Sequence, residues 1–565
     1  KKATRIDPIH VLENKTMTYN SFSLSGSIVD VLNQRIFPGT IHVENGRITS
    51  VAEESVSETH LILPGLIDAH IHIESSMLVP TEFARAAVVH GTVATVSDPH
   101  EIANVLGMRG VDFMLSNAEQ SPFKFHFSAP SCVPATPFET AGAELSAPEI
   151  ETLLQRPDIV SLSEMMNVPG VLNDAEDVNE KLRLARIAGK VVDGHAPGLR
   201  GEAVKKYVEA GITTDHECFS LAEALEKLSL GMQVQIREGS AARNLDDLIP
   251  LLDEHYKNCM LCSDDKHPDD LAEGHINEMV KRAIAAGIDP LKVLWSASVT
   301  PVKTYKLDIG LMQTGDPADL ILVDDFDNFQ VKATYINGEL MAENGTTKLS
   351  SQVVEPINKF EAALQTPQLF GIKSSQDQVP VIDVIDGQLV TKKYSWHPTL
   401  NSDGFIEPNI EEDILKIAVL NRYSLSKPAV ALIRNFGLKE GAIASSVAHD
   451  SHNIVAVGTS NEDLAKAMNL IIQNQGGISA VTKKTEHVLP LPVAGIMSDD
   501  DAFRVGVSYG EMDDLAKEMG SQLGAPYMTL SFMALLVIPD IKLSDKGLFD
   551  GTTFQFIDAF ESSVG

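Results

Sequence analysis

The sequence has little of several things. Cysteine accounts for 4 of its 565 residues, tryptophan for 2, and aromatic residues for 6%. So few cysteines cannot knit a chain of this length, which excludes a disulfide scaffold and makes a reducing cytoplasm the expected setting. No apolar run approaches the roughly 18–20 residues that cross a bilayer, so no membrane-spanning helix is expected. The opening KKATRIDPIHVLENKTMTYN has no continuous apolar stretch and does not read as a secretory signal. Positive charge is scarce too: 45 Lys and Arg stand against 78 Asp and Glu, a net charge of −33. Such a surface repels nucleic acid and anionic membrane, so neither is an expected partner. It suits an enzyme acting on a neutral or cationic small molecule.

What is present is ordinary globular material, 44% hydrophobic and 22% charged. Residues 1–24 are expected to be loosely ordered. SIVDVLN, GTIHVENG and RITSVAE, between Ser27 and Val51, read as short strands broken by Gly and Asn. From Leu61 apolar strand-like runs alternate with helical patterns. The runs are LILPGLIDAHIH (61–72), VATVSDPH (93–100), FHFSAPSC (125–132), IVSLSE (159–164), VVDGH (191–195), TTDHE (213–217), QVQIREG (233–239) and MLCSDD (260–265). Helical stretches such as TEFARAAVVHG, ANVLGMRGVDFMLSNAEQ, AEDVNEKLRLARIAG and GEAVKKYVEAG lie between them, several ending in the Gly that follows a helix C-terminus. Eight such units fit a (β/α)8 TIM barrel, typically about 250 residues.

The predicted fold class is therefore α/β, with the barrel at 63–302. Strand-like sequence returns in IGLMQTGDPADLILVDD and VKATYINGEL. Residues 25–62 and 303–345 are thus expected to form one small β-sandwich domain built from both flanks of the barrel. Residues 346–379 read as a polar connection, and 380–565 as a separate C-terminal α/β domain. In the latter, GTSNEDL places Ser460 or Asn461 at a helix N-cap.

Active sites of such barrels lie at the C-terminal ends of the strands. The first run ends in His70-Ile71-His72, and residues two apart on a strand face the same way. The fourth ends in Glu164, the fifth in His195, the sixth in His216 and the eighth in Asp264. Imidazoles and carboxylates gathered at one rim would bind one or two divalent metals. Asp98-Pro99-His100-Glu101 closes the second run, and Glu217, Arg237 and Glu238 stand at or near other strand ends. Asp265, next to Asp264, points to the opposite face of an ideal strand and is a weaker ligand candidate. Cys259-Met260-Leu261-Cys262 stands alone inside the eighth run and reads as core. His72-Ile73-Glu74 spells the H-x-E of the small zinc nucleobase deaminases, but their P-C-x-x-C is missing.

PGLIDAHIH (64–72) and IGLMQTGDPADLILVD (309–324) resemble the amidohydrolase superfamily. LPGLIDAHIHIESSML, VSDPHEIANVLG, DGHAPGL, TTDHE, CSDDKHPDDL, SSVAHDSHNIVAVG and LSDKGLFDG are similar, more closely, to its bacterial adenine deaminase family. The likeness runs from about residue 25 to the end. It implies a binuclear centre of Mn2+ or Fe2+, with Zn2+ as the other option. His70 and His72 would hold the more buried ion, Glu164 would bridge both, and His195 and His216 would hold the second. Asp264 would ligate the first ion. The implied reaction is hydrolysis of adenine to hypoxanthine and ammonia by attack of hydroxide on C6, in purine salvage. Asp264 would act as general base and acid. A proton donor to ring N1 is needed, with Glu101, Glu217, Arg237 and Glu238 as candidates. Among these, Glu101 and Glu238 are carried forward as catalytic candidates, and Asp98, His100, Arg237, Asp265, His449 and His452 as substrate contacts. A homodimer is the implied assembly. Two other readings stay open: a cyclic amide or imine hydrolase on the same fold, and a metal-bound binding protein without catalysis.

Overall fold

The computed structural model describes residues 21–562. For residues 1–20 the expected loose order falls outside that range; from Phe22 the chain is already in a strand. The first four strands are β1 (Phe22–Asp30), β2 (Arg35–Glu44), β3 (Arg47–Glu53) and β4 (Leu61–Pro64). The parallel strands follow as β5 (Leu66–Ile71), β6 (Thr92–Ser97), β7 (Lys124–Ala129), β8 (Ile159–Met165), β9 (Val191–Gly194), β10 (Thr214–Asp215), β11 (Gln233–Arg237) and β12 (Cys259–Cys262).

The first predicted run is two strands, not one. Gly65 divides β4 from β5, because a Cβ there would stand 2.4 Å from both Val93 methyl groups. This lets one apolar run serve two sheets. β4 pairs with β1 in parallel and with β13 (Leu320–Val323) antiparallel. With β14 (Val331–Ile336), β15 (Glu339–Glu343) and β16 (Thr346–Thr347) the result is a single eight-stranded sheet, ordered β16-β15-β14-β13-β4-β1-β2-β3. The ladder folds over on itself: Phe22 of β1 stacks on Tyr335 of β14 at 5.4 Å although β4 and β13 lie between them in the order, so both flanks build one small β domain around a shared core.

β5 to β9 form a five-stranded parallel sheet and β10 to β12 a three-stranded one. β5 and β6 are buried at every residue, as parallel strands covered on both faces require. The two sheets meet through a few bonds. Thr213 N–H donates to the Val192 carbonyl at 3.0 Å, and Asp264 N–H to the His70 carbonyl at 3.0 Å. His72 N–H donates back to the Asp264 carbonyl at 3.2 Å. The helix Glu176–Ala188 ends at Gly189 with φ 66°, as its sequence predicts. The helix expected across 103–120 is broken at Gly107 (φ 60°, ψ −141°) into His100–Leu106 and Met108–Ala118. That backbone region is essentially open only to glycine.

The C-terminal segment builds a second eight-stranded sheet. Its order is Thr391–Trp396, Val379–Val384, Ala429–Arg434, Ile414–Leu420, Ile454–Gly458, Ala442–Ser445, Gly477–Val481 and Glu486–Pro490. Ser460 caps the helix Asn461–Asn474 as expected, its Oγ accepting from Asp463 N–H at 3.1 Å. The segment packs on the helices Pro268–Glu273 and Pro80–Ala87 of the parallel-strand domain through its helix Ala502–Glu518, while its helix Pro526–Phe532 and strand Ile541–Ser544 lie against its own sheet. There the buried Lys542 Nζ donates to the carbonyls of Leu389 (2.6 Å) and Phe532 (3.1 Å), tying two stretches together. All four cysteines are free and buried. No helix among the described residues is long and apolar enough to cross a membrane.

Candidate active site

Strand geometry brings the predicted metal residues to one place. His70 ends β5 with Ile71, and His72 follows two residues later on the same side. The stitch between β12 and β5 draws Asp264 beside them, in a left-handed conformation (φ 56°) that turns the chain at the strand's end. His70 Nε2 and His72 Nε2 lie 3.5 and 3.2 Å from Asp264 Oδ1. Glu164, near the end of β8, sits at the centre. Its Oε1 is 3.2 Å from His72 Nε2, and its Oε2 is 2.8 Å from His195 Nδ1 and 3.2 Å from His216 Nε2. His70 and His216 stack with ring centres 4.3 Å apart. All six side chains are buried.

The donor chemistry fits divalent cations. His72 Nδ1 faces the Asp98 carbonyl at 3.1 Å, a bond that only an N–H there can make. This leaves its Nε2 lone pair turned to Glu164 and Asp264, the arrangement of a metal-binding histidine. Two sets of donor atoms, His70 with His216 and Asp264, and Glu164 with His195 and His216, each lie within 4.8 Å of one another. Burial drives His72 towards deprotonation, but hydrogen bonds donated to the Asp264 and Glu164 carboxylates outweigh it and carry the imidazole well above its usual range. Burial likewise opposes ionisation of Glu164 and Asp264. His195 and His216 hold Glu164 well below the carboxylate range, and His216 and Arg237 do the same for Asp264.

Lone pairs that hold protons this firmly are the ones metal ions compete for. The sign of the pH effect follows. The raised imidazoles stabilise the metal-free fold below about pH 6.5 and lose that contribution as pH rises through their folded values. Metal binding, which needs them neutral, strengthens over the same interval. Adding Mn2+ to metal-free protein is therefore expected to raise Tm more at pH 8.5 than at pH 6, by calorimetry. An equal gain at both would contradict the proton competition.

A cavity opens over this cluster. It is walled on one side by His72, His100, Glu101, Glu164, His195, His216, Glu217, Arg237, Asp264 and Asp265. The remaining wall comes from Met166 and from Leu389, His449, Asp450, Phe532 and Leu535 of the C-terminal segment. His100, Glu101, Arg237, Asp265 and His449 thus reach the cavity. Asp98 and His452 stand behind it: Asp98 Oδ2 holds His100 Nδ1 at 2.9 Å, and His452 Nε2 is bonded to Glu101. Arg237 is committed, with Nη1 on Asp264 Oδ2 at 2.5 Å and Nη2 on Glu217 Oε2 at 2.8 Å. Burial opposes ionisation of Glu217, yet Arg237 and His195 pull it down to about 2.

Glu238 is not brought to the site. It is the next residue after Arg237, so it turns to the other face and binds Arg282. Its selection as a catalytic candidate is corrected on that ground. Asp265 avoids the outward turn expected of it, because the chain leaves strand geometry at Asp264; its Oδ1 accepts from Ser75 Oγ at 2.5 Å. Leu389, Phe532 and Leu535 had no signal in the sequence, since apolar residues in apolar runs read as core.

Fold and site together define an amidohydrolase. Residues 61–341 match the model of the amidohydrolase family, and residues 388–555 match that of the adenine deaminase C-terminal domain. An adenine deaminase of Salinibacter ruber is 53% identical over 544 residues, covering 96% of this chain and 99% of its own. Those of Sulfurovum sp. and Methanosarcina acetivorans are 52% and 48% identical, each across 95% of this chain and 99% of their own. The chain belongs to the adenine deaminase family.

Proposed function

We propose that the protein hydrolyses adenine to hypoxanthine and ammonia. The observation that carries this is near-50% identity to adenine deaminases along almost the entire length of both chains, joined to a buried imidazole–carboxylate cluster at the strand ends. We read β5 to β12 as one eight-stranded barrel, closed by the bonds between Val192 and Thr213 and between His70 and Asp264. His70, His72 and Asp264 would hold one divalent ion and His195 and His216 the other, with Glu164 shared. Mn2+ or Fe2+ suits these donors, and Zn2+ is the remaining option. When bound, the pair supplies hydroxide near neutral pH.

The chain's own groups do the rest. Arg237 fixes Asp264 Oδ2, so Oδ1, which faces the imidazoles, is the atom that would both ligate the ion and take the nucleophile's proton, passing it to the departing amine at N6. Met166, Leu389, Phe532 and Leu535 exclude bulk water and offer apolar surface to a flat purine. A soluble cytoplasmic homodimer working in purine salvage completes the reading.

Ammonia release tests it. Protein loaded with Mn2+ or Fe2+ is offered adenine, adenosine, guanine, cytosine and a hydantoin-like cyclic amide. Release from adenine, abolished by chelation, is expected. No release from adenine with two ions bound, and release from a cyclic amide instead, would overturn the substrate assignment.

A further inference from the structure

Hydroxide addition to C6 breaks the C6–N1 π bond and leaves its electron pair on N1. That nitrogen needs a proton. The inference below rests on the adenine reading above and asks which atom supplies it.

The candidates within the parallel-strand domain are committed. Glu217 lies in a two-pronged bond with Arg237, and Arg237 also holds Asp264. Glu101 has no proton to give. Its Oε1 accepts from His449 Nδ1 and its Oε2 from His452 Nε2, and His100 Nε2 stands 3.4 Å from Oε1. A carboxylate surrounded by three imidazoles stays ionised.

The two C-terminal histidines on Glu101 are not equivalent. His452 Nδ1 accepts the backbone N–H of Ala448 at 3.2 Å. An imidazolium has no lone pair and cannot accept, so His452 is neutral and its single proton lies on Nε2, facing Glu101. Burial acts the same way, pushing its pKa down to about 4. His449 has no accepting duty. Its Nδ1 is on Glu101, its ring lies flat against Phe532 at 4.7 Å, and its Nε2 is buried without a partner in the cavity wall. Glu101 and Asp265 overcome the burial penalty and raise His449 to about 9. The other titratable neighbours are Asp450 and the neutral His267 and His452.

We propose that His449 Nε2–H donates the proton to N1 of adenine, so that the C-terminal domain contributes a catalytic residue to a site otherwise built at the strand ends. The C–O bond forms at C6 as the π pair moves to N1 and takes the Nε2 proton. The hydroxide's proton passes through Asp264 to N6, the C6–N6 bond breaks, and ammonia leaves. The second proton of the next water returns to His449. One water is consumed and both its protons are accounted for, one on N1 of hypoxanthine and one in ammonia. Asp450, also in the wall, is the poorer donor. Its burial raises the carboxyl only to about 6, so near pH 7 it is mostly a carboxylate and would repel the N1 lone pair.

Two variants test this. His449→Phe keeps the stacking on Phe532 and removes both nitrogens. His449→Asn keeps an N–H where Nδ1 bonds Glu101 and removes Nε2 together with the ring stacked on Phe532. Both are measured as two-metal holoenzymes, with kcat on adenine and Ki for 1-deazaadenine, which lacks N1. A loss in kcat of roughly 10²–10³-fold is expected in each, the scale of a lost transition-state donor. Ki for 1-deazaadenine is expected within about threefold of wild type, because that ligand never made the bond. Should His449→Phe fail to fold, His449→Asn decides alone. If His449→Asn binds two ions and keeps kcat within about threefold, the assignment is overturned. It is equally overturned if kcat and 1-deazaadenine affinity fall together, since a general collapse of the roof would do that. Wild-type protein that releases no ammonia from adenine refutes the deaminase reading itself, a result obtained before any variant is made.

Discussion

Asp264→Asn is expected to lower kcat on adenine by roughly 10³–10⁴-fold, the upper range for loss of a general acid–base group. The substitution is close to isosteric, but Arg237 decides how the amide lies. Arg237 Nη1 donates to Oδ2 at 2.5 Å, so the amide oxygen must take that side. The NH2 then faces His70 and His72, where Oδ1 now stands 3.5 and 3.2 Å from their Nε2 atoms. An amide nitrogen there neither ligates a cation nor accepts a proton. On the proposed reading, one substitution thus removes the base and weakens the hold on one ion together. Metal analysis beside steady-state kinetics separates the two effects. Full deamination with two ions retained would contradict the role given to Asp264.

Glu164→Gln is expected to cost more in metal than any other single substitution here. Four imidazoles converge on this carboxylate, from His72, His100, His195 and His216, at 2.8 to 3.5 Å. Both oxygens are used, Oε1 towards His72 and His100 and Oε2 towards His195 and His216, so on the proposed reading it is shared by both ions. The amide has one oxygen and carries no charge. Bound metal is expected to fall from two equivalents to one or fewer, and ammonia release from adenine to fall by more than about 10³-fold. Two equivalents retained after dialysis would show that Glu164 is not shared.

Much of the site is legible in the sequence because strand geometry is regular. His70 and His72 are two apart, and a period of two puts them on one face. His195, His216 and Asp264 stand where runs end, and a parallel-strand domain presents its run ends on one side. The same regularity misleads at Glu238, one residue beyond Arg237, where a single step inverts the direction. It misleads the other way at Asp265, where the left-handed turn at Asp264 suspends strand alternation. The division of the first run is hidden for a different reason: β4 and β5 form one unbroken apolar stretch in the sequence, and the crowding of Gly65 against Val93 exists only in the fold. In the roof, His449 and His452 come forward by resemblance to the family and not by any geometric rule. Glu101 and His449 are 348 positions apart, and no spacing rule spans that distance. Phe532 and Leu389 look like any core residue, since burial against substrate and burial against protein draw on the same residue types.

The separation of Glu101 from His449 also has a meaning in time. A ribosome adds about 5–20 residues per second, so roughly 20–70 s pass between the emergence of the one and that of the other. The last of the strand-end ligands, Asp264, precedes His449 by 185 residues, so for roughly 10–40 s of that interval the full ligand set would stand without its apolar cover, open to water and cations. The ions can therefore enter by the face that the last residues later seal. Growing chains would be loaded with metal during synthesis, and finished chains would exchange it slowly.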